Sequence, residues 1–461
     1  MKKQQIKNTK KAEFEIKDIF QHILKHQLWY ILTLTIILLG ITLGMTSQGD
    51  SVTLIGSETY YHLNEAKNLG WRNFQYAPLS IVLLLPDIVL QSLPFLLSII
   101  FVTALYFASL YISITDKFRY LFFLFLVTSP VFLFRANTLS SQMFLIILIC
   151  TGFVFMKKGY QRLSLTSFIL VTFIDTFSTI LLLGLLYLYL HSKKKIQEYM
   201  KFYGVLLGGI AIIQAVIFRR PFILGPFQQD PSLLRLFSDL GSVSGLSVFI
   251  ILLAAVGISV LWKKKAELEQ YLLLVLLTLT YILNQAILLT LTIILLYFAT
   301  AGLLKISERP WEIKNLKAFT IFLLVLGILF SATTYLERIG NVGPTVEDIK
   351  VLNWIKDNTP QDAIIFSSPE YATQINFFAE REAYASLHEN LKSEKISKEI
   401  LTSLYVTEAF PLLEKSKVSY IYIPKRMRED LPTEQGLIYL LQNERFKFIR
   451  SYGQSEVWAF K

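Results

Sequence analysis

The chain has 461 residues, of which 53% are apolar and 17% charged, with a mean hydropathy of +0.49. Soluble globular proteins carry about a quarter charged residues, and 35 Phe and 23 Tyr leave no low-complexity tract for a disordered or fibrous chain. Composition therefore points to a polytopic α-helical membrane protein.

The first 27 residues are polar and Lys-rich, and no small-residue cleavage site follows the apolar run after them. The first span thus reads as an uncleaved anchor. Apolar spans are expected at about 28–45, 93–115, 120–134, 143–156, 163–174, 176–190, 202–218, 246–262, 271–283, 286–304 and 318–336, which makes about 11 transmembrane helices. Segment 77–91 is apolar but short and holds Pro78, Pro86 and Asp87, so it reads as an interfacial helix on the outer face. As one helix, residues 163–190 would be about 42 Å long against a hydrocarbon core of about 30 Å. A hairpin turning at Asp175 keeps the basic clusters at 157–162 and 193–195 on one side. The one cysteine, Cys150, sits in an apolar run, which excludes a disulfide framework and a Cys-rich metal site.

The formal charge of +11 is accounted for by orientation. Alternate loops, starting from the N-terminus, hold 23 Lys and Arg, whereas the opposite loops hold six. By the positive-inside rule the first set is cytoplasmic. No basic stripe with interleaved aromatics is present, so nucleic acid is not an expected partner. The N-terminus is then cytoplasmic and the tail from 337 to 461, with 16 basic and 18 acidic residues, lies outside the cell membrane. That tail reads as helix 346–357, strand 363–367, helix 370–379, strand 383–385, helix 397–413, strand 418–423 and a hairpin of 446–451 and 456–460 turning at Gly453-Gln454. The expected organisation is a cytoplasmic segment 1–27, a transmembrane domain 28–336 and an extracytoplasmic mixed α/β soluble domain 337–461.

Candidate chemistry lies in the outer loops. Gly56-Ser57-Glu58-Thr59-Tyr60-Tyr61-His62-Leu63 puts a carboxylate, two tyrosines and an imidazole close to the membrane surface. Such a set can bind a phosphate-sugar head, take a proton or ligate a cation. It is equally what an amphipathic helix start looks like, with Ser57 as the cap and Glu58 at the positive helix end. If 58–68 is helical, Glu58, His62 and Glu65 share a face, with Tyr61 adjacent. Arg135, in a loop with no acid, can hold a phosphate or reach to lipid head groups. Asp175 inside an apolar hairpin is expected to face a cavity or a partner. Arg219 and Arg220, just outside a span, break the positive-inside bias and suit a lipid-linked phosphate or the head groups of membrane lipids, and Asp239 follows in the same loop.

Taken with Tyr76-Ala77-Pro78-Leu79-Ser80 and with Ser129-Pro130 in the third span, the 56–63 segment resembles the GT-C superfamily of membrane glycosyltransferases, and archaeal oligosaccharyltransferase-like proteins above all. Trp354-Ile355-Lys356-Asp357-Asn358-Thr359-Pro360 and the strand after it are similar to the start of that family's soluble domain. The resemblance implies a GT-C-like transmembrane fold, with Glu58 at the family's first-loop acid, which serves a metal ion or acts as the catalytic carboxylate. The chain departs from the family at two places. Ser367-Ser368-Pro369-Glu370-Tyr371 stands where the oligosaccharyltransferases carry the acceptor motif Trp-Trp-Asp-Tyr-Gly, and residues 136–142 lack the second-loop acidic pair. A divalent cation, Mn or Mg, needs several oxygen ligands, so it would require Glu58, Asp175 and Asp239 to converge.

The function implied is transfer of a sugar from a polyprenyl-phosphate-linked donor to a glycan, lipid or protein acceptor on the outer face. Glu58 would be the general base, Tyr60, Tyr61 and His62 would position the head group, and Arg219 and Arg220 would neutralise the leaving phosphate. The rival reading is a catalytically inactive lipid-glycan-binding or accessory protein. A transporter is disfavoured because the chain shows no repeated halves.

Overall fold

Apolar stretches too long and too uniformly hydrophobic for a soluble core become helices at nearly the expected bounds in the computed structural model. It describes residues 21–48, 54–69, 76–84, 86–112, 114–175, 178–179, 182–184, 186, 197–217, 237–243, 245–263, 268–283, 287–340, 342–386, 391–431 and 436–460. In chain order the helices before the soluble domain are α1 (Gln27–Gln48), α2 (Ser57–Lys67), α3 (Ala77–Val82), α4 (Asp87–Ser109), α5 (Asp116–Thr128), α6 (Pro130–Ala136), α7 (Ser141–Lys157), α8 (Gln161–Ile174), α9 (Gln197–Ile217), α10 (Val248–Lys263), α11 (Leu268–Leu283), α12 (Leu288–Glu308) and α13 (Lys314–Ile339). The expected span at 176–190 falls mostly outside the described residues.

Among the described residues, four helices are long and apolar enough to cross a membrane: Gln27–Thr46, Val89–Ser109, Leu288–Glu308 and Lys314–Ile339. The pair α5 and α6, bent by 63°, makes a fifth if taken as one broken span. The bend has a local cause. Pro130 has no N–H to continue the ladder, and it forces Ser129 into an extended conformation at φ −69 and ψ 129. Ser141–Lys157, Gln161–Ile174, Tyr203–Ile213 and Val248–Trp262 are apolar but shorter.

Each long helix shows why it sits where it does. On α1, Ile31 and Leu39 are buried while Trp29, Ile36, Ile37 and Ile41 are exposed, and Thr35 and Thr42 return their hydroxyls to the carbonyls of Ile31 and Leu39, each at 2.8 Å. A polar side chain can thus lie in an apolar segment with its donor satisfied. On α13, Ile328, Ser331, Ala332, Tyr335 and Ile339 face inward at helical spacing, and Phe319, Phe322, Leu326 and Phe330 face out.

Helices α10 and α12 meet backbone to backbone. A Cβ on Gly257 would lie 1.9 Å from the Phe298 carbonyl oxygen, and one on Gly302 would lie 2.1 Å from that of Leu253. Small residues let two backbones touch where lipid supplies no hydrophobic drive between helices. Gly302→Val is expected to force these helices apart, costing about 1–3 kcal/mol or more. A lower unfolding midpoint of the full chain in detergent would show it, and an unchanged midpoint would refute this packing.

The segment expected as one interfacial helix over 77–91 is divided. Pro86, at φ −55 and ψ 146, precedes the first turn of α4, so only α3 is separate and the second span begins earlier than expected. Asp87 thereby becomes the first residue of α4.

The C-terminal mixed α/β domain comprises α14 (Val346–Asn358), β1 (Ile364–Phe366), β2 (Glu382–Ala383), α15 (Leu391–Thr402), α16 (Val406–Lys415), β3 (Val418–Ile423), α17 (Lys425–Asp430), α18 (Leu437–Leu440), β4 (Phe446–Tyr452) and β5 (Ser455–Phe460). A five-stranded sheet runs β2-β1-β3-β5-β4, with β1 parallel to β2 and β3, and β5 antiparallel to β3 and β4. Side-chain alternation makes two cores. Ile365 and Tyr422 pack with Val351, Leu352 and Ile355 of α14, whereas Phe366, Ile421 and Ile423 pack with Ile400, Ala409 and Leu413 of α15 and α16. Thr345 and Asp348 start α14 with a capping box, at 3.1 and 2.8 Å. The expected helix 397–413 is two helices. At the break the Ser403 hydroxyl donates to the Tyr405 carbonyl at 3.2 Å, and Tyr405 turns extended to begin α16. Between β1 and β2 the helical stretch changes type, ending in a π-helical turn, Ile375–Ala379, before Glu380 at φ 52.

Candidate functional site

The site is built on α2, eleven residues immediately after the first span. Gly56 precedes it at φ 84, and a Cβ there would meet Thr138 at 3.0 Å, so the entry turn requires glycine on two counts. The helix is then tied down. Thr59 Oγ1 donates to the Ile55 carbonyl at 2.7 Å and accepts from the Leu139 N–H at 3.0 Å, and the Tyr60 hydroxyl donates to the Leu54 carbonyl at 2.9 Å. Burial holds the Tyr60 hydroxyl well above the usual phenol range, so it stays a neutral donor.

Glu58 and His62, one turn apart, point the same way and are only 7% and 6% exposed. His62 Nε2 lies 3.6 Å from Glu58 Oε1, and His62 Nδ1 lies 3.1 Å from the Tyr76 hydroxyl. Arg135, 8% exposed at the end of α6, donates from Nη1 to Glu58 Oε2. This places Arg135 inside the protein, against the head-group alternative. Burial lowers the His62 pKa to about 4, with Glu65 opposing, so the imidazole is neutral at neutral pH. The cluster is therefore one carboxylate, one guanidinium and one neutral imidazole, balanced in charge. Glu58 Oε1 and Arg135 Nε form no hydrogen bond among the described residues, although both are buried. Such groups can accept a ligand's polar atoms without first breaking a bond. Tyr61 stands beside His62 with ring centroids 5.6 Å apart.

The soluble domain sits on the other side of α2. Tyr60 packs against Phe377 and Phe378 of the π-helical turn at centroid distances of 5.7 and 5.2 Å. Lys67 at the end of α2 is ion-paired with Glu380, which also accepts from Lys356 at 2.8 Å.

The other expected site residues are elsewhere engaged. Asp175 ends α8, and its Oδ2 accepts from the N–H of Ser178 at 2.9 Å, the contact of a helix cap. Asp239 Oδ2 accepts from the Val248 N–H at 2.6 Å at the start of α10, and its Oδ1 accepts from the Ser331 hydroxyl. Arg219 and Arg220 lie outside the described residues. No group of three or more His, Cys, Asp and Glu side chains is placed to hold a metal ion among the described residues. A guanidinium already occupies one oxygen of Glu58, and the described groups in contact with Glu58 are the nitrogens of Arg135 and His62, which is not the set of oxygen ligands that a Mn or Mg ion needs.

Helical spacing placed Glu58, His62 and Glu65 on one face with Tyr61 adjacent, and the structure brings Glu58 and His62 together with Tyr61 beside the imidazole. Sequence reasoning missed the Glu58–Arg135 pair, which joins positions 77 residues apart, and the role of Tyr76.

No family model matches the chain, and no curated protein matches it significantly. Solved structures do. The oligosaccharyltransferase of Archaeoglobus fulgidus in its apo form superposes with a TM-score of 0.51 at 11% identity, over 91% of this chain and 73% of that one. The same archaeal protein, tethered by a disulfide to an acceptor peptide containing the NVT sequon, gives 0.51 at 11% identity over 94% and 74%. Likeness at this identity is likeness of fold. The chain has an oligosaccharyltransferase-like fold, that of a helical membrane protein with a small mixed α/β domain.

Proposed function

We propose that the chain is a multi-pass GT-C-type glycosyltransferase of the cell membrane, moving a sugar from a polyprenyl-phosphate donor to a hydroxyl acceptor on the outer face. The observation that carries this reading is the buried cluster of Glu58, His62 and Arg135 on the helix after the first span, within a fold shared over nine-tenths of the chain with an oligosaccharyltransferase. Arg135 is the group suited to the donor phosphate, since guanidinium pairs bidentately with phosphate as well as with carboxylate. A phosphate arriving there competes with Glu58 and frees a carboxylate to take the acceptor proton. The acceptor oxygen then bonds to the anomeric carbon as the bond from that carbon to the phosphate oxygen breaks. The electron pair leaves on the lipid phosphate, which Arg135, with Arg219 and Arg220, neutralises. The acceptor is read as a hydroxyl rather than a sequon asparagine because Ser367-Ser368-Pro369-Glu370-Tyr371 replaces the aromatic acceptor motif.

The experiment is transfer of a radiolabelled sugar from a polyprenyl-phosphate donor by the purified full-length chain in lipid nanodiscs. Labelled product that depends on the protein is the expected result, and donor binding without product in any acceptor class would overturn it. That second outcome belongs to an accessory lipid-glycan-binding protein, a reading favoured by one observation: Arg135 already closes on the carboxylate that would act as base.

The topology that accompanies this proposal is eleven spans with the N-terminus in the cytoplasm and the soluble domain outside. In intact cells expressing Cys150→Ser with either Lys264→Cys or Lys395→Cys, a membrane-impermeant maleimide is expected to modify only the second. Labelling at 264 alone would invert the orientation.

A further inference from the structure

We propose that Tyr76 is a positioning residue that fixes the tautomer of His62, its hydroxyl donating to Nδ1 so that the Nε2–H is directed at Glu58. The inference deepens the transferase reading given above and names a residue that reading leaves without a role.

The argument is one of donors and acceptors. A neutral imidazole has one N–H and one bare nitrogen, and which is which follows from what each faces. Nε2 lies 3.6 Å from Glu58 Oε1, and an ionised carboxylate can only accept. A bare Nε2 would set its lone pair against that negative oxygen in a buried site, where such repulsion is poorly screened. With the hydrogen on Nε2 the contact is attractive, and Nδ1 must then be the acceptor. The group 3.1 Å from Nδ1 is the Tyr76 hydroxyl, which can donate or accept by rotating its hydrogen and here donates. The Tyr76 ring lies against the imidazole at a centroid distance of 5.5 Å, which holds the hydroxyl in reach. Tyr61 flanks the imidazole on its own helix, and the charge of Glu65, further along α2, raises the His62 pKa against the effect of burial. The order of contacts is thus Tyr76, His62, Glu58, Arg135, from the segment before α3 to the end of α6, and its His62–Glu58 step is an electrostatic contact longer than a hydrogen bond.

The test uses the full-length chain with 15N-labelled histidine in lipid nanodiscs, with the His62 signal assigned by its loss in His62→Gln. Wild type is expected to show the bare-nitrogen signature at Nδ1 and the protonated signature at Nε2. Tyr76→Phe keeps the ring packing and removes the donor, and is expected to give a mixture of both tautomers with unchanged folded yield. The opposite tautomer in wild type, or an unaltered spectrum in Tyr76→Phe, would overturn the assignment whether or not the chain transfers sugar. If it does, Tyr76→Phe should lower kcat roughly 10- to 100-fold at nearly constant KM, the scale seen when an outer partner of a functional histidine is removed. A rise in KM at constant kcat would assign Tyr76 to substrate binding instead.

Discussion

Glu58→Gln is expected to lose transfer activity by a factor of about 10²–10⁴, the usual contribution of a general base. Gln keeps the shape of the side chain and an oxygen that can accept from Arg135, but it cannot take the acceptor proton. The substitution is not silent for folding, because the guanidinium of a buried, charge-balanced pair loses its counter-charge. Activity must therefore be measured per folded molecule, with the folded fraction taken from size-exclusion chromatography in detergent. Wild-type turnover per folded molecule would remove Glu58 from the chemistry. A fall in folded yield with specific activity retained would make the carboxylate a partner for Arg135 and nothing more.

Arg135→Gln is expected to be the most destabilising single change in the site. It strands the Glu58 charge in a place where both side chains are nearly inaccessible to water, and breaking a buried pair from one side typically costs about 3–5 kcal/mol. The double variant Glu58→Gln with Arg135→Gln should recover most of that loss, since two amides can hydrogen-bond to each other with no charge left over. Denaturant or thermal unfolding of all four proteins closes the cycle. Additive effects would mean that the two groups do not interact. Donor binding, measured alongside, should fall in every variant lacking Arg135, because the guanidinium is the proposed phosphate ligand.

Much of this architecture was legible because the physics that sets it is local. Helices α1, α12 and α13 follow from apolar runs alone, and the terminal hairpin follows from alternation around Gly453. The face carrying Glu58 and His62 followed from a spacing of four residues. What local pattern could not supply is what pairs across the chain. Arg135 looked like an interfacial cation because nothing within its own loop is acidic, and its partner, Glu58, lies 77 positions earlier in the chain. Asp175 drew notice as an acid inside an apolar hairpin, and Asp239 as an acid in the loop that carries Arg219 and Arg220. In the structure they accept from the N–H groups of Ser178 and Val248, contacts that the sequence pattern did not give. The break at Ser403 lies in a run of weak helix formers, Thr402, Ser403, Tyr405 and Val406, but the apolar pattern continues across it, and a hydroxyl contact to the Tyr405 carbonyl diverts the backbone there.

The C-terminal α/β domain is clasped to α2 by a carboxylate that holds its charge well into acid. Glu380 is shared by two ammonium groups, and its hydrogen bonds to Lys356 and then Lys67 lower its pKa to about 2, against 4.5 for an ordinary glutamate. A carboxyl group depressed in this way contributes fully above the unfolded value and loses that contribution progressively as pH falls from about 4.5 to about 2. Between those limits a typical surface carboxylate has already taken up its proton, while this one still clasps both lysines. Its exposure leaves it open to salt as well, because mobile ions screen a solvent-facing triad. Beneath it, the contact of Tyr60 with Phe377 and Phe378 is apolar and insensitive to either. Falling pH would thus weaken the two ion pairs step by step across that interval, and added salt would loosen this exposed rim of the joint before its apolar centre.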